Sequence, residues 1–449
     1  MKKSLVLAAI CGLVMTGNVA NAQKCAHDEL IQAAIDGNPA KMAAYEQYNN
    51  TILNQAEEYN RKNQLNSTFA KTTNSKYTIP LVFHVMLTQA QLDEIGGTSG
   101  LYNRIQSQVA ILNTDFNALN TETIPDAFKN LKGNPNMSFG VAHTDPNGFG
   151  TTGVEILIKS ASFTGFDVSD NSAKRTSSGG LNPWDNKRYL NIWIFNITNG
   201  SSSGEILGYA YNPNLATNVL GDANLMGVCV DYKAFGRRTS ITQVFVPNAD
   251  RGRTMVHELG HYFTLNHIWG NSPVGNGNCS DDDGVSDTPP QKDANQSICP
   301  TFPKANCTGA TPGEMFMNYM DYVNDACMSM FSLGQVTRMQ SELAGTGGSA
   351  NLPHNMHLLS WPTGIEATEI QQNLSIVPNP SNGAFTITYH DYVKSITIVN
   401  MLGQPVKQIA GTEQQSGAIS VDMTGMSKGI YTVQCQYMEG VVSRKIVIE

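Results

Sequence analysis

Charge is scarce in this sequence. Asp, Glu, Lys and Arg together make up 15 % of it and leave a net charge of −8. No Lys/Arg stripe occurs, which excludes a nucleic-acid binder held by phosphate contacts. Beyond the N-terminus no apolar run approaches the roughly 18 residues that a bilayer demands, so no transmembrane segment is expected. Eight cysteines occur, none in a CxxC pair, which argues against a cysteine-ligated structural metal. Histidine is rare, nine in 449 residues, and its distribution is uneven: His257, His261 and His267 fall within one run of eleven.

The rest of the chain divides by composition. Lys2 and Lys3, the apolar Leu5 to Val14 and the small residues Ala20-Asn21-Ala22 read as a signal peptide over 1–22. Residues 23–76 are polar, helical in pattern and poor in core residues, as expected of a pro-segment. Residues 77–345 read as one α/β (α+β) domain. A buried strand starts it at Ile79-Pro80-Leu81-Val82-Phe83-His84, a helix follows over about 100–113, and strands lie near 137–142, 154–158 and 190–195. Pro80 is tolerable at a strand's beginning. Gly345-Thr346-Gly347-Gly348-Ser349 opens a linker, 346–365. The segment 366–449 alternates in five or more short strands separated by turns, the pattern of a small β-sandwich.

In His257-Glu258-Leu259-Gly260-His261, a helix brings the two histidines to one face, about 6 Å apart along the axis. Two imidazoles so placed can share one zinc ion, and His267 can complete the set if the helix breaks near Leu265 and the chain folds back. Three protein ligands leave the fourth position for water, which is the arrangement of a catalytic site. Glu258, on the adjacent face, is placed to activate a zinc-bound water. An acidic third ligand, Glu314 or Asp283, is the competing assignment.

These residues resemble the pappalysin family of metzincin metallopeptidases, and the resemblance spans nearly all of 77–345. It is carried by HExxHxxxxxH, by Asn318-Tyr319-Met320-Asp321-Tyr322, by Asn113-Thr114-Asp115-Phe116-Asn117 and by the stretch from Asp145 to Gly153. It implies a Met-turn in which Met320 forms an apolar floor under the metal and Tyr322 hydrogen-bonds the tetrahedral intermediate. One departure stands out. Metzincins usually carry Gly where this chain has Thr264, and a β-branched residue is poor at positive φ. Either Thr264 stays helical and Asn266 takes the turn, or the site is distorted.

The C-terminal segment resembles the sorting domain of the bacterial type IX secretion system. The matching features are Pro378-Asn379-Pro380-Ser381-Asn382-Gly383, Asn400-Met401-Leu402-Gly403-Gln404, Lys428-Gly429-Ile430-Tyr431 and Arg444-Lys445-Ile446-Val447-Ile448. A carbohydrate-binding module is the other reading, and the segment has no aromatic cluster to serve as a sugar platform. The resemblance implies export through the periplasm and the secretion machinery as a partner.

Four cysteines between the zinc helix and the end of the Met-turn should pair in an exported protein, and sequence alone permits three connectivities. The family resemblance implies Cys279 with Cys307 and Cys299 with Cys327. Cys25, in a polar context that reads as exposed, has no evident partner. Its thiolate could fill the open zinc position as a latency switch, with Asp28 as the alternative group. Asp281, Asp283, Asp287 and Thr288 gather hard oxygen donors beside Gly284 and suit calcium, an ion that pappalysin-like enzymes bind in this region. The expectation is a secreted zinc endopeptidase acting on proteins or peptides. The alternative is a surface adhesin that keeps the metal fold without turnover.

Overall fold

The unbroken buried run from Ile79 to Thr88 makes the central strand of a mixed sheet, buried on both faces as parallel strands are. The computed structural model describes residues 25–67, 77–199, 206–296, 298–309, 311–344, 347–360, 374–389, 393–400, 404–410, 417–437 and 441–449. The leader at 1–22 and the stretch Lys71 to Lys76 lie outside them.

Two helices precede the sheet, α1 (His27–Ile35) and α2 (Pro39–Ser67). The domain that follows is built from β1 (Tyr77–Thr88), α3 (Gly97–Asp115), β2 (Met137–Val141), β3 (Val154–Lys159), β4 (Leu190–Phe195), β5 (Gly208–Tyr211), β6 (Gly227–Asp231), α4 (Arg253–Tyr262) and α5 (Leu333–Leu343). The sheet order is β2-β1-β4-β6-β5. β1 is long enough to pair with β2 over its first half and with β3 over its second. All pairings in this sheet are parallel except the last: β5 runs antiparallel to β6 and forms the edge beside α4. The polar helix α2 lies over α5, where Tyr59 donates to Gln340 (3.1 Å).

Residues 352–359, expected within a linker, instead form a 3₁₀ helix packed on β1. Leu358 is fully buried with Val82, Ala142 and Tyr189, and its carbonyl accepts from His143 N (2.7 Å). Gly140 leaves room for Leu359, since a Cβ there would lie 2.9 Å from its side chain. Ser349, likewise expected in the linker, donates its backbone N–H to Glu342.

The C-terminal segment contains β7 (Leu374–Val377), β8 (Ala384–Tyr389), β9 (Val393–Val399), β10 (Pro405–Ala410), β11 (Gly417–Asp422), β12 (Gly429–Tyr437) and β13 (Val441–Ile448). They form two antiparallel sheets, β11-β8-β7 and β10-β9-β12-β13, around one apolar core. Strand β10 was not expected; it opens on a proline and alternates weakly.

Candidate metal centre

The helix α4 is clamped at its start. Asp325 Oδ2 accepts from the backbone N–H groups of Arg251 (2.9 Å) and Arg253 (3.3 Å), a carboxylate at the positive end of the helix. The Arg253 guanidinium donates to Asp115 (3.2 Å), Glu122 (2.5 Å) and the Asp325 carbonyl (2.7 Å). Every residue of α4 is buried, so its polar side chains need internal partners.

The far end of α4 corrects the reading of the turn. Thr264 does not stay helical: it adopts φ 72° itself, and Asn266 is not needed for the reversal. Its N–H donates to the His261 carbonyl and that of Leu265 to the Gly260 carbonyl, both at 2.9 Å, which closes a Schellman turn with threonine in glycine's usual place. The reversal carries the chain to His267 without displacing it.

His257, His261 and His267 converge on one point. Their Nε2 atoms lie 3.1 Å (257–261), 3.2 Å (257–267) and 3.0 Å (261–267) apart. Each Nδ1 meets an acceptor: the Tyr319 carbonyl for His257 (2.7 Å), the Leu265 carbonyl for His261 (2.8 Å) and Asp28 Oδ2 for His267 (2.5 Å). The protons therefore sit on Nδ1, and three Nε2 lone pairs face one another with none between them. Burial also holds His261 well below the ordinary imidazole range and pushes His267 down to about 3. Three neutral nitrogens so spaced fit a zinc ion, whose tetrahedral ligands at roughly 2.0–2.1 Å stand about 3.3 Å apart. Among the described residues they form, with Cys25, the one group of His, Cys, Asp and Glu that could hold a metal, with ligand atoms within 4.8 Å of one another. Glu314 and Asp283 are not in it. Glu314 is paired with Lys304 (2.8 Å) instead.

Glu258 is fully buried beside this cluster. Its Oε2 accepts from the Cys25 thiol (3.4 Å), while Oε1 has no hydrogen-bond partner among the described residues. Burial raises its carboxyl well above the usual carboxylate range. Gly208 on the edge strand lies against it: a Cβ there would sit 2.7 Å from Oε1. Met320 passes under the helix at Gly260, where a Cβ would lie 2.3 Å from its sulfur. The Tyr322 ring packs on His257 and His267, and its hydroxyl donates to the Cys25 carbonyl (3.0 Å). Trp269 stacks on His267, centroids 4.3 Å apart.

Cys25 was expected to be exposed; it is wholly buried. The segment from Cys25 to Asp28 fills the cleft. Ala26 N donates to the Gly208 carbonyl (3.1 Å) in a parallel bridge, and His27 bonds the Ala210 carbonyl (2.7 Å) and stacks on His261 at 4.1 Å. Burial raises the Asp28 carboxyl to about 7; His27 opposes this and Asp281 adds to it. Sequence reasoning named Asp28 but not its contact with His267, and it missed the space that Gly208 and Gly260 leave.

The structure pairs Cys279 with Cys307 and Cys299 with Cys327. It does not gather the four expected calcium ligands at one point. Asp281 accepts from the backbone of Asn271 and Ser272, Asp283 from Val285 N and Thr288 Oγ1, and Asp287 from Ser332 Oγ and Gly334 N.

Residues 180–344 match the family model described as pregnancy-associated plasma protein-A, and residues 375–449 match that of the secretion system C-terminal sorting domain. An extracellular metalloprotease of Sordaria macrospora is 35 % identical over 152 residues, 34 % of this chain and 47 % of the relative. One from Arthroderma otae is 34 % identical over 148 residues, 30 % of this chain and 49 % of the relative. The chain thus spans about half the length of the curated relatives it matches. Among solved structures, mature mirolysin of Tannerella forsythia in complex with a cleaved peptide superposes with a TM-score of 0.56 at 38 % identity, covering 64 % of this chain and 100 % of that one. A promirolysin mutant from the same organism gives 0.61 at 33 % identity, covering 76 % of this chain and again 100 % of that one.

Proposed function

Since this chain belongs to the pappalysin family of metallopeptidases, we propose that it is a secreted zinc endopeptidase made as a latent precursor. The observation that carries this reading is the triangle of Nε2 lone pairs beside a Glu258 oxygen that has no hydrogen-bond partner among the described residues. His257, His261 and His267 would hold the zinc. Bound there, it supplies a Lewis acid that polarises a peptide carbonyl and acidifies a water.

The chain's own groups do the rest. Glu258 takes a proton from the attacking water and hands it to the leaving amine; a carboxylate whose proton affinity burial has raised is suited to both transfers. Tyr322 donates to the oxygen that gains charge, and its bond to the Cys25 carbonyl supports the role, with that carbonyl in the place of a substrate's. The edge of β5 offers the Gly208 and Ala210 carbonyls to an extended peptide, as they now serve Ala26 and His27. Met320 is the apolar floor. Substrates on this reading are protein segments that can enter the cleft extended.

Cys25 is the latency switch, a fourth ligand delivered by the pro-segment; Cys25→Ala in the precursor should raise basal peptidase activity. The C-terminal domain addresses the chain to the type IX machinery for export through the periplasm. Of the four donors expected for calcium, which stand apart with partners of their own, Asp283 is the one at which we keep the ion. Supporting this is Asp283, a buried carboxylate raised to about 7 by burial, which a cation would relieve; a calcium-dependent rise in melting temperature that Asp283→Asn removes is the check.

Glu258→Ala tests the catalytic reading. The processed variant should keep stoichiometric zinc and lose about 10²–10⁴-fold in peptide hydrolysis. Turnover near wild type with zinc bound would end it.

A further inference from the structure

The three histidines are not held alike. His257 and His261 rest on backbone carbonyls of the catalytic domain itself, Tyr319 and Leu265. The acceptor for His267 is the Asp28 side chain, in the first turn of α1 and on the pro-segment. Of the rings packed on His267, Trp269 offers no substitute, since its N–H only donates and goes to the Ser272 carbonyl, and while the pro-segment is in place the Tyr322 hydroxyl donates to the Cys25 carbonyl. The fourth candidate ligand, Cys25, sits on the same segment three residues earlier.

Resting on the three-histidine reading above, we propose that Asp28 is a positioning residue for the metal ligand His267, and that the precursor is therefore the zinc-loading form. A carboxylate behind a ligating imidazole fixes the tautomer, orients the ring and strengthens its donation, and loss of such a partner typically costs about 10–100-fold in metal affinity. Departure of the pro-segment removes this carboxylate and the sulfur together. Zinc is captured while both are present and exchanges faster once they have gone.

The test uses the full-length precursor carrying Glu258→Gln, so that it cannot process itself. Zinc is loaded one to one and its transfer to excess 4-(2-pyridylazo)resorcinol is timed. Asp28→Ala should release zinc about 10–100-fold faster than the parent. Asp28→Asn, whose amide oxygen still accepts from Nδ1, should fall between them. Cobalt(II) supplies a second readout: the sulfur-to-cobalt charge-transfer band from Cys25 should persist in Asp28→Ala and vanish in Cys25→Ser. Release within twofold of the parent overturns the proposal. So does loss of the cobalt band in Asp28→Ala, because Asp28 would then only anchor the pro-segment. A parent precursor that binds neither metal overturns the three-histidine reading itself, and this inference with it.

Discussion

A threonine at φ 72°, buried to 2 % exposure, carries two penalties. Its backbone loses about 1–2 kcal/mol in the left-handed region, and its hydroxyl is buried without a hydrogen-bond partner among the described residues, worth about 1–3 kcal/mol. Glycine would remove both and lose about 1 kcal/mol of methyl burial. Thr264→Gly should therefore raise the melting temperature of the precursor by a few degrees in calorimetry; a fall would mean that methyl packing dominates. Glu342 makes a second case. Burial raises its carboxyl to about 7, and Oε2 has no hydrogen-bond partner among the described residues. Folding thus favours the protonated form. Stability is full below pH 4.5, falls as the unfolded carboxyl ionises, and levels off above about 7, a loss of roughly 3 kcal/mol. Glu342→Gln should flatten that stretch in denaturant titrations at successive pH values, and an unchanged slope would assign it to other groups. The converging histidines were legible because two of the three are fixed by helix periodicity alone. Asp28 and His267 lie 239 residues apart, and no local pattern links them.

At the scale of elements, α4 is shaped by two absent side chains. Gly208 lets Glu258 lie against β5, and Gly260 lets Met320 pass beneath the histidine cluster. Alanine in a helix is ordinarily favoured over glycine by about 1 kcal/mol, yet a Cβ at 260 would meet Met320 Sδ at 2.3 Å, and overpacking of this kind costs about 1–3 kcal/mol. Gly260→Ala should destabilise in urea unfolding, and adding Met320→Ala should recover part of the loss. Strict additivity of the two would mean that they do not touch. Apart from β5, β6, β10 and α5, which were not read, the strands and helices were legible because each carries its own apolar run or period. The helix at 352–359 was not: its short sequence has no period to read, and its burial comes from Val82, far upstream. Thr264 failed for the opposite reason, because the tertiary demand to reach His267 overrode its own backbone preference.

At the scale of the molecule, the β-sandwich keeps its own core and, among the described residues, contributes none to the histidine cluster. Deleting 366–449 should leave peptide hydrolysis within about twofold of the full chain while the product accumulates in the periplasm, as fractionation and a fluorogenic peptide assay would show. Normal export of the truncated chain would remove the sorting role. The path of residues 352–359 adds a geometric consequence. They pack on β1, and the Ser360 carbonyl accepts from Thr144 just past β2, whereas the cleft opens along β5 at the opposite border of the sheet. From β1 to β5 is three strand spacings, about 14 Å. Ser360, the last described residue before β7, is thus anchored on the flank of the sheet away from the edge strand that Cys25 to Asp28 line.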